Sequence, residues 1–328
     1  MIPEERTAMI LKSASDTKNC ASTMRFTASA RAAWGHIINV LSAGEEKRVL
    51  LPAYIGYTER EGSGVFDPVL ANGAAHAFYK LNRDLSIDLE DFRAKLARKP
   101  DIVLVIHYFG FCRSDLALIR QLCDEAGAVL VEDCAHAFYL ESSQSPIGSV
   151  GDFAFYSLHK YLPTTSGGVL KVNDLKVNDK RFAALRIPED MQAHRDVLEQ
   201  YAISDFAAIK AIRRRNYAAY ASLLARRADE MEIMFDLSAE DIPQTFPVRI
   251  LQGKREKLYF YLMQREMPTI ALYYRLIDQI DRMEHPMSFQ LAGDILNLPV
   301  HQDTTLEDIA ALCAAIEDFF AAEAVLQP

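Results

Sequence analysis

Three side chains capable of acid–base or nucleophilic chemistry fall within one short stretch of the sequence. A carboxylate and an imidazole, Asp133 and His136, follow the apolar run 129–131. The amine of Lys160 follows a second candidate strand, 153–158, and precedes a segment rich in small residues. Open α/β sheets bind their ligands beyond the carboxyl ends of such strands. We therefore expect the acid, the imidazole and the amine to converge at one site.

A fourth feature, the start of a predicted helix, suits an anion. Residues 27–31 read Thr-Ala-Ser-Ala-Arg and open a helix whose apolar residues recur at helical spacing. The first amides of a helix have no acceptor within it, and the helix dipole places partial positive charge there. Ser29, Ala30 and Arg31 are therefore candidates to hold a phosphate. An ordinary capped helix start remains the alternative.

Together these features are the set that pyridoxal 5'-phosphate (PLP) requires. The Lys160 amine can form a Schiff base with the cofactor aldehyde, and the Asp133 carboxylate can keep the ring nitrogen protonated. The ring then accepts electrons from a carbanion beside the imine. The combination predicts PLP as the cofactor. Taken singly, each residue also has an ordinary structural explanation, as a cap, a core histidine or a surface lysine.

The chain also resembles the DegT-type sugar aminotransferases, a family of PLP-dependent fold-type-I aminotransferases. The resembling segments extend through nearly the whole chain: 27–33, 50–54, 79–88, 131–136, 151–153, 157–160, 167–168 and 295–301. The resemblance implies an aspartate-aminotransferase-like α/β fold. It implies a large PLP-binding domain with a mostly parallel sheet, residues 1–227, and a smaller C-terminal α+β domain, residues 228–328.

Matching the family's motifs position by position implies roles for individual residues. Lys160 is the catalytic residue that binds the cofactor and moves protons. Asp133 pairs with the ring nitrogen, and His136 lies against the ring. The phosphate is held by residues from two elements, Ser157, Ser29, Ala30 and Arg31.

Two further assignments rest on the resemblance alone. An aromatic residue commonly covers the outer face of the ring in this family, and Tyr54 or Tyr57 is our candidate. Gln200 stands where the family has an asparagine that reaches the phosphate of the partner subunit. The arginine that normally follows that asparagine is absent here. The resemblance nevertheless implies a homodimer.

The function that the resemblance implies is transfer of an amino group, with glutamate as donor, to a keto group of a nucleotide-linked sugar. Basic residues that could bind the diphosphate are Lys176, Lys180, Arg181, Arg186 and Arg195. His159 leaves a sugar dehydratase open, because histidine replaces the lysine in a dehydrating branch of the family. An aminotransferase for a non-sugar ketone and a non-catalytic PLP-binding protein remain further alternatives.

The elements that must position these residues follow a βαβ pattern. The apolar runs 102–106 and 128–131 are separated by a predicted helix over 114–126, which is typical of parallel strands buried on both faces. Residues 304–307, Thr-Thr-Leu-Glu, predict a capping box at the start of the last helix. We expect the basic run Arg213-Arg-Arg215 to form a solvated helix face or to pair with acidic neighbours, with a role in holding a substrate diphosphate as the alternative.

Composition excludes several other classes of protein. The 328 residues include 36 basic and 45 acidic side chains, a net charge of −9 that argues against nucleic-acid binding. Five scattered cysteines indicate reduced thiols and a cytoplasmic protein. No apolar run approaches the ~20 residues of a membrane helix. No metal-binding motif, Rossmann fingerprint or P-loop is present, so we expect no metal site.

Overall fold

The computed structural model describes residues 24–42, 45–138, 145–173, 185–267 and 269–325. The strands of its large sheet are β1 (Met24–Thr27), β2 (Arg48–Pro52), β3 (Ala75–Tyr79), β4 (Ile102–Ile106), β5 (Val129–Cys134), β6 (Phe153–Ser157) and β7 (Gly168–Val172). Their order is β1-β7-β6-β5-β4-β2-β3, and the only antiparallel pairs of this sheet in the described ranges involve β7. The predicted α/β fold with a mostly parallel sheet is confirmed.

Helices connect these strands and cover the sheet. They are α1 (Ala30–Ser42), α2 (Phe66–Ala71), α3 (Leu89–Leu96), α4 (Leu116–Ala126), α5 (Arg195–Ile203) and α6 (Phe206–Leu224). The predicted α1 buries its apolar stripe, including Trp34 and Ile37. The predicted α4 is capped by Asp115, whose carboxylate accepts from the Leu118 amide, and it ends at Gly127 with φ 71°. This left-handed position favours glycine.

A second, antiparallel sheet forms the C-terminal α+β part of the chain. Its strands are β8 (Met231–Ile233), β9 (Thr245–Ile250) and β10 (Ile295–Pro299), with β9 in the middle, and its helices are α7 (Arg255–Met263), α8 (Pro286–Asp294) and α9 (Leu306–Val325). Helix α6 packs against this part, since the Tyr217 hydroxyl donates to the Phe235 carbonyl and Asn216 Nδ2 donates to the His301 carbonyl. The domain boundary between residues 227 and 228 stays a prediction.

The capping box at the start of α9 lies one residue later than predicted. The Asp308 amide donates to Thr305 Oγ1 at 3.1 Å, and the Thr305 amide donates to Asp308 Oδ2 at 2.9 Å. The prediction that paired Thr304 with Glu307 is therefore wrong. Both pairs have the spacing of a capping box. The second is used because the helical hydrogen bonds begin at the Thr305 carbonyl, which accepts from the Ile309 amide.

The fold positions chemistry-bearing residues at one edge of the large sheet. Strands β4, β5 and β6 are parallel neighbours, so their carboxyl ends meet at the same edge. The start of α1 reaches this edge because Gly168 has no side chain; a Cβ there would lie 2.4 Å from the Ser29 carbonyl carbon. Among the described residues, no helix combines the length and apolar character that crossing a membrane demands.

Candidate active site

A cavity of about 650 Å³ lies at the carboxyl edge of β5 and β6. The loop 55–65 and the segment 269–274 of the C-terminal part form its other walls. Most of the site residues expected from the sequence line it: Ser29, Ala30, Arg31, Asp133, His136, Ser157 and Lys160. Residues from distant parts of the sequence therefore converge as predicted. Their chemical roles remain predictions.

Asp133 supplies a buried carboxylate near the end of β5. Its side chain is almost fully enclosed, and the Ala135 amide donates to Oδ1 at 2.8 Å. Burial raises the pKa of Asp133 to about 6, although the nearby charges of Lys160 and His107 oppose that rise. Above this pH the carboxylate is ionised, and it is suited to pair with a protonated ring nitrogen.

Lys160 supplies a primary amine with an unusually low pKa. It follows β6 in the turn that leads to β7, and burial lowers its pKa from 10.5 to about 8. The carboxylates of Asp133 and Glu61 counteract part of this effect. A neutral amine is the form that attacks a carbonyl carbon, so the environment of Lys160 favours imine chemistry near neutral pH.

Arg213 fixes the backbone of Lys160, a role that the sequence analysis did not predict for this residue. Its guanidinium donates to the Lys160 carbonyl at 2.8 Å and lies over the Tyr161 ring at 4.3 Å from the centroid. Further donations reach the carbonyls of Pro243 and Gln244 at 3.3 Å. Arg213 is fully buried, so the expected solvated face is wrong at this position.

An ion pair lies behind the cavity and orders the turn before β6. Nε2 of His107 and Oε2 of Glu132 are 2.8 Å apart, and both side chains are buried. Burial alone favours neutral imidazole, but the contacts with Cys112 and Glu132 outweigh it and raise the pKa of His107 to about 10. Glu132 also accepts from the amides of Gly148, Val150 and Gly151. The pair places a positive charge close to the Asp133 carboxylate.

The start of α1 lies in the cavity wall, where an anion cradle was expected. Ser29 Oγ caps the helix by accepting from the Ala32 amide at 3.1 Å. The Arg31 side chain instead reaches away, donating to the Glu61 carbonyl and lying 3.6 Å from the Asp67 carboxylate. Arg31 thus contributes to the cavity wall next to the first helical amides. Such amides and the helix dipole bind phosphate groups.

His136 provides an apolar, neutral ring surface in the cavity. Burial lowers its pKa well below 6.5, and the charge of Lys160 adds to this effect. The ring is stacked at 20° on Phe109, with centroids 6.1 Å apart. Its Nδ1 is buried and has no hydrogen-bond partner. A buried polar atom without a partner is the kind of group that a ligand satisfies.

The structure does not bring two of the expected residues to the cavity wall. Tyr54 is fully buried, and its ring packs against Tyr108 and Tyr273, whereas Tyr57 does line the cavity. Gln200 lies in α5 away from the cavity, and its carbonyl accepts from the Ser204 hydroxyl. A contact of Gln200 with a partner subunit stays a prediction.

The basic residues suggested for a diphosphate do not form a described site. Arg195 is exposed and pairs with Glu199 at 2.7 Å, and Arg186 is exposed and outside the cavity lining. Lys176, Lys180 and Arg181 lie outside the described residues. The described cysteines, Cys112, Cys123, Cys134 and Cys313, are free thiols.

The donor set of the cavity fits PLP. A phosphate suits the helix start at Ala30, a pyridinium nitrogen suits the buried Asp133 carboxylate, and an aldehyde suits the low-pKa amine of Lys160. The unpartnered Nδ1 of His136 offers a further polar contact. The volume also lies within the 300–1,000 Å³ or so that is usual for small-molecule pockets.

Comparisons with known sequences find relatives named GDP-perosamine synthase. GDP-perosamine synthase of Vibrio cholerae is 31% identical over 111 residues, an alignment that spans 33% of this chain and 30% of that protein. GDP-perosamine synthase of Escherichia coli O157:H7 is 22% identical over 261 residues, which span 73% of this chain and 71% of that protein.

Solved structures with the same fold include TlmJ, an aminotransferase from Streptoalloteichus hindustanus. Its TM-score is 0.75 at 21% identity, covering 92% of this chain and 87% of that one. Spr1654 from Streptococcus pneumoniae, solved in its pyridoxamine phosphate (PMP) form, has a TM-score of 0.76 at 17% identity. The match covers 92% of this chain and 87% of that one. Spr1654 was also solved in a PLP form. These likenesses confirm the predicted aspartate-aminotransferase-like fold.

A model of one protein family matches most of the chain, over residues 26–201 and 189–317. The two matches include the start of α1, the ends of β5 and β6, and the segment 269–274 that together line the cavity. The resemblance recognised in the sequence is thereby confirmed. The chain belongs to the DegT/DnrJ/EryC1/StrS aminotransferase family.

Proposed function

We propose that this chain is a PLP-dependent aminotransferase that passes an amino group from glutamate to a keto group of a nucleotide-linked sugar. The observation that carries the proposal is the convergence of Lys160 and Asp133 on one cavity with the start of α1. Membership of an aminotransferase family supports it, as do the relatives named GDP-perosamine synthase.

The proposed cofactor supplies an aldehyde for imine formation and a ring that accepts electrons. Lys160 would hold the cofactor through its amine, which reacts in the neutral form, and once displaced by the amine of the substrate it would serve as the base and acid that moves a proton. The ionised Asp133 would pair with the positive charge of the ring nitrogen. The backbone at Ala30 and Arg31, with Ser157, would bind the phosphate and so orient the ring.

Arg213 and His136 position these groups. By donating to the Lys160 carbonyl, Arg213 limits the motion of the lysine backbone. The side chain of Lys160 makes no part of this contact and remains free to move. The neutral ring of His136 packs beside the cofactor without adding a charge that competes with Asp133. With these contacts the Lys160 amine and the Asp133 carboxylate both face one cavity, as amino transfer through a single cofactor requires.

We further propose that the protein acts as a cytoplasmic homodimer. The free thiols of the described cysteines support a reducing compartment. The dimer follows from the family resemblance, and Gln200 in α5 is the residue that we expect near the partner subunit. Light scattering of the purified protein measures the oligomeric state directly, and a monomer at micromolar concentration contradicts the dimer.

The function is tested by incubating the purified protein with PLP, glutamate and a panel of GDP-, dTDP- and UDP-linked keto sugars. We expect 2-oxoglutarate and an amino sugar in equal amounts, detected by mass spectrometry, from at least one of the sugars. Lys160→Ala is the matched control and should lose both products and the visible absorption of the bound cofactor. Unchanged absorption and rate in Lys160→Ala contradict the assignment.

The same experiment separates the alternatives left by the sequence. A deoxygenated sugar without 2-oxoglutarate indicates a dehydratase, for which the adjacent His159 is the residue to replace. Transfer only to non-sugar ketones indicates a different acceptor class. Bound PLP without any turnover indicates a non-catalytic PLP-binding protein.

A further inference from the structure

Of the two aromatic residues expected from the sequence, Tyr57 lines the cavity and Tyr54 does not, and Tyr273 is a further aromatic residue in the cavity wall. Tyr54 lies beneath the cavity wall, with its ring centroid 5.0 Å from that of Tyr273. Tyr273 itself lines the cavity, on the segment 269–274 of the C-terminal part. A residue more than 200 positions away in sequence therefore presents an aromatic ring to the cavity in addition to Tyr57.

Gly56 makes room for this ring. A Cβ built at Gly56 would lie 2.6 Å from Tyr273 Cδ1 and 3.2 Å from its Cα. The first distance is too short for a real Cβ and the second is tight, so the space into which residue 56 would project is filled by Tyr273. The position of the Tyr273 ring therefore depends on residue 56 being glycine.

The loop 55–57 also fixes the backbone that carries Tyr273. The Tyr57 amide donates to the Arg275 carbonyl at 2.9 Å, and the Ile277 amide donates to the Ile55 carbonyl at 3.0 Å. Two residues before Arg275, the backbone of Tyr273 adopts φ 59°, in the left-handed region that few residues other than glycine enter. Such a backbone persists where the surrounding structure holds it, frequently at ligand sites.

The ring of Tyr273 lies close to the groups assigned to the cofactor. Its centroid is 5.8 Å from that of His136, with the planes at 53°, and 6.2 Å from that of Phe109. Burial raises the pKa of Tyr273 well above 10, and the carboxylate of Asp133 adds to this effect. The hydroxyl therefore stays protonated and leaves the charge of the ring nitrogen to Asp133.

We propose that Tyr273 supplies the aromatic face that packs on the cofactor ring. Gly56 leaves the space that the Tyr273 ring occupies. This inference rests on the proposed function and adds a positioning residue to it.

The test compares Tyr273→Leu, which keeps apolar bulk without a π face, with Tyr273→Phe, which keeps the ring. The probe is pyridoxamine phosphate (PMP), which carries an amine in place of the aldehyde and so binds without an imine to Lys160. We expect Tyr273→Leu to weaken PMP binding about 10-fold and Tyr273→Phe by less than about 3-fold. Titration calorimetry measures both, and thermal unfolding of the unliganded variants checks that they fold.

A second measurement uses the unaltered protein. Hydroxyl-radical footprinting with mass spectrometry should show modification of Tyr273 reduced at least about 3-fold by saturating PMP. Equal PMP affinity in Tyr273→Leu and Tyr273→Phe, or unprotected Tyr273 in the footprint, overturns the inference. A loss of affinity in Tyr57→Leu but not in Tyr273→Leu does so as well, since it assigns the ring contact to Tyr57.

These outcomes are distinguishable from failure of the proposed function. If the unaltered protein binds neither PLP nor PMP, the cofactor assignment itself is wrong. If it binds both and forms the visible absorption band with PLP, the cofactor assignment stands, and the variants then decide the role of Tyr273 alone.

Discussion

Replacing Asp133 by asparagine should make the Lys160 amine a weaker base. Burial holds the pKa of Lys160 at about 8, and the Asp133 carboxylate opposes burial by stabilising the ammonium form. Removing that carboxylate leaves burial less opposed. A neighbouring carboxylate typically shifts a pKa by 1–3 units at close range, so we expect the pKa to fall by about one unit.

The expected magnitude follows from the fraction of neutral amine. With a pKa of about 8, roughly one tenth of Lys160 is neutral at pH 7, roughly 300 times more than at the usual value of 10.5. In Asp133→Asn roughly half is neutral at pH 7, a gain of about fivefold. The sign is fixed, because protonation below the pKa removes the lone pair that attacks an aldehyde.

Reductive methylation with formaldehyde and cyanoborohydride measures this fraction without any cofactor. The methylation rate of the Lys160 peptide is followed by mass spectrometry from pH 6 to 10, and its midpoint gives the pKa. Glu61→Gln is the matched control: its carboxylate is exposed and screened by solvent, so its removal should lower the midpoint less. A midpoint near 10.5 in the unaltered protein, or an unchanged or higher midpoint in Asp133→Asn, refutes the reasoning.

Three further predictions concern the scaffold and are checked by denaturant unfolding. Gly168→Ala should destabilise the protein by about 1–3 kcal/mol because the added Cβ meets the start of α1. The control Gly293→Ala adds a Cβ with nothing within 4 Å and should change stability by less than about 1 kcal/mol. Equal effects of the two substitutions contradict the close approach of Gly168 to α1. Glu132→Gln should cost about 3–5 kcal/mol by leaving buried His107 without its carboxylate, and a neutral result would show that the ion pair does not hold the turn. Arg213→Met should cost about 2 kcal/mol or more because several buried carbonyls lose their donor, and unchanged stability together with an unchanged Lys160 pKa argues against the anchoring role.

Local sequence patterns were enough to place Lys160 and Asp133 on one cavity. Each follows an apolar strand, and parallel strands end at a common sheet edge, so two local predictions combine into a spatial one. The capped helix start at Ser29 was equally predictable, since it needs only a capping residue ahead of an amphipathic helix.

Other parts of the site depend on contacts between distant segments, which a single sequence does not reveal. Residues 275–277 pair with the loop 55–57 and so hold the segment that carries Tyr273, and no local pattern distinguishes Tyr273 from Tyr54 or Tyr57. Arg213 is different, because a signal was present. It falls four positions after Ile209 and four before Tyr217, on the buried stripe of α6, where helical spacing predicts contact with the core rather than with solvent.

The most direct test of the account is to identify which lysine binds PLP. The protein is incubated with PLP, reduced with borohydride to make the imine bond permanent, digested, and sequenced by mass spectrometry. The account predicts a single modified lysine, Lys160, and loss of the modification in Lys160→Ala. Modification of another lysine in its place, or none at saturating PLP, contradicts the central claim.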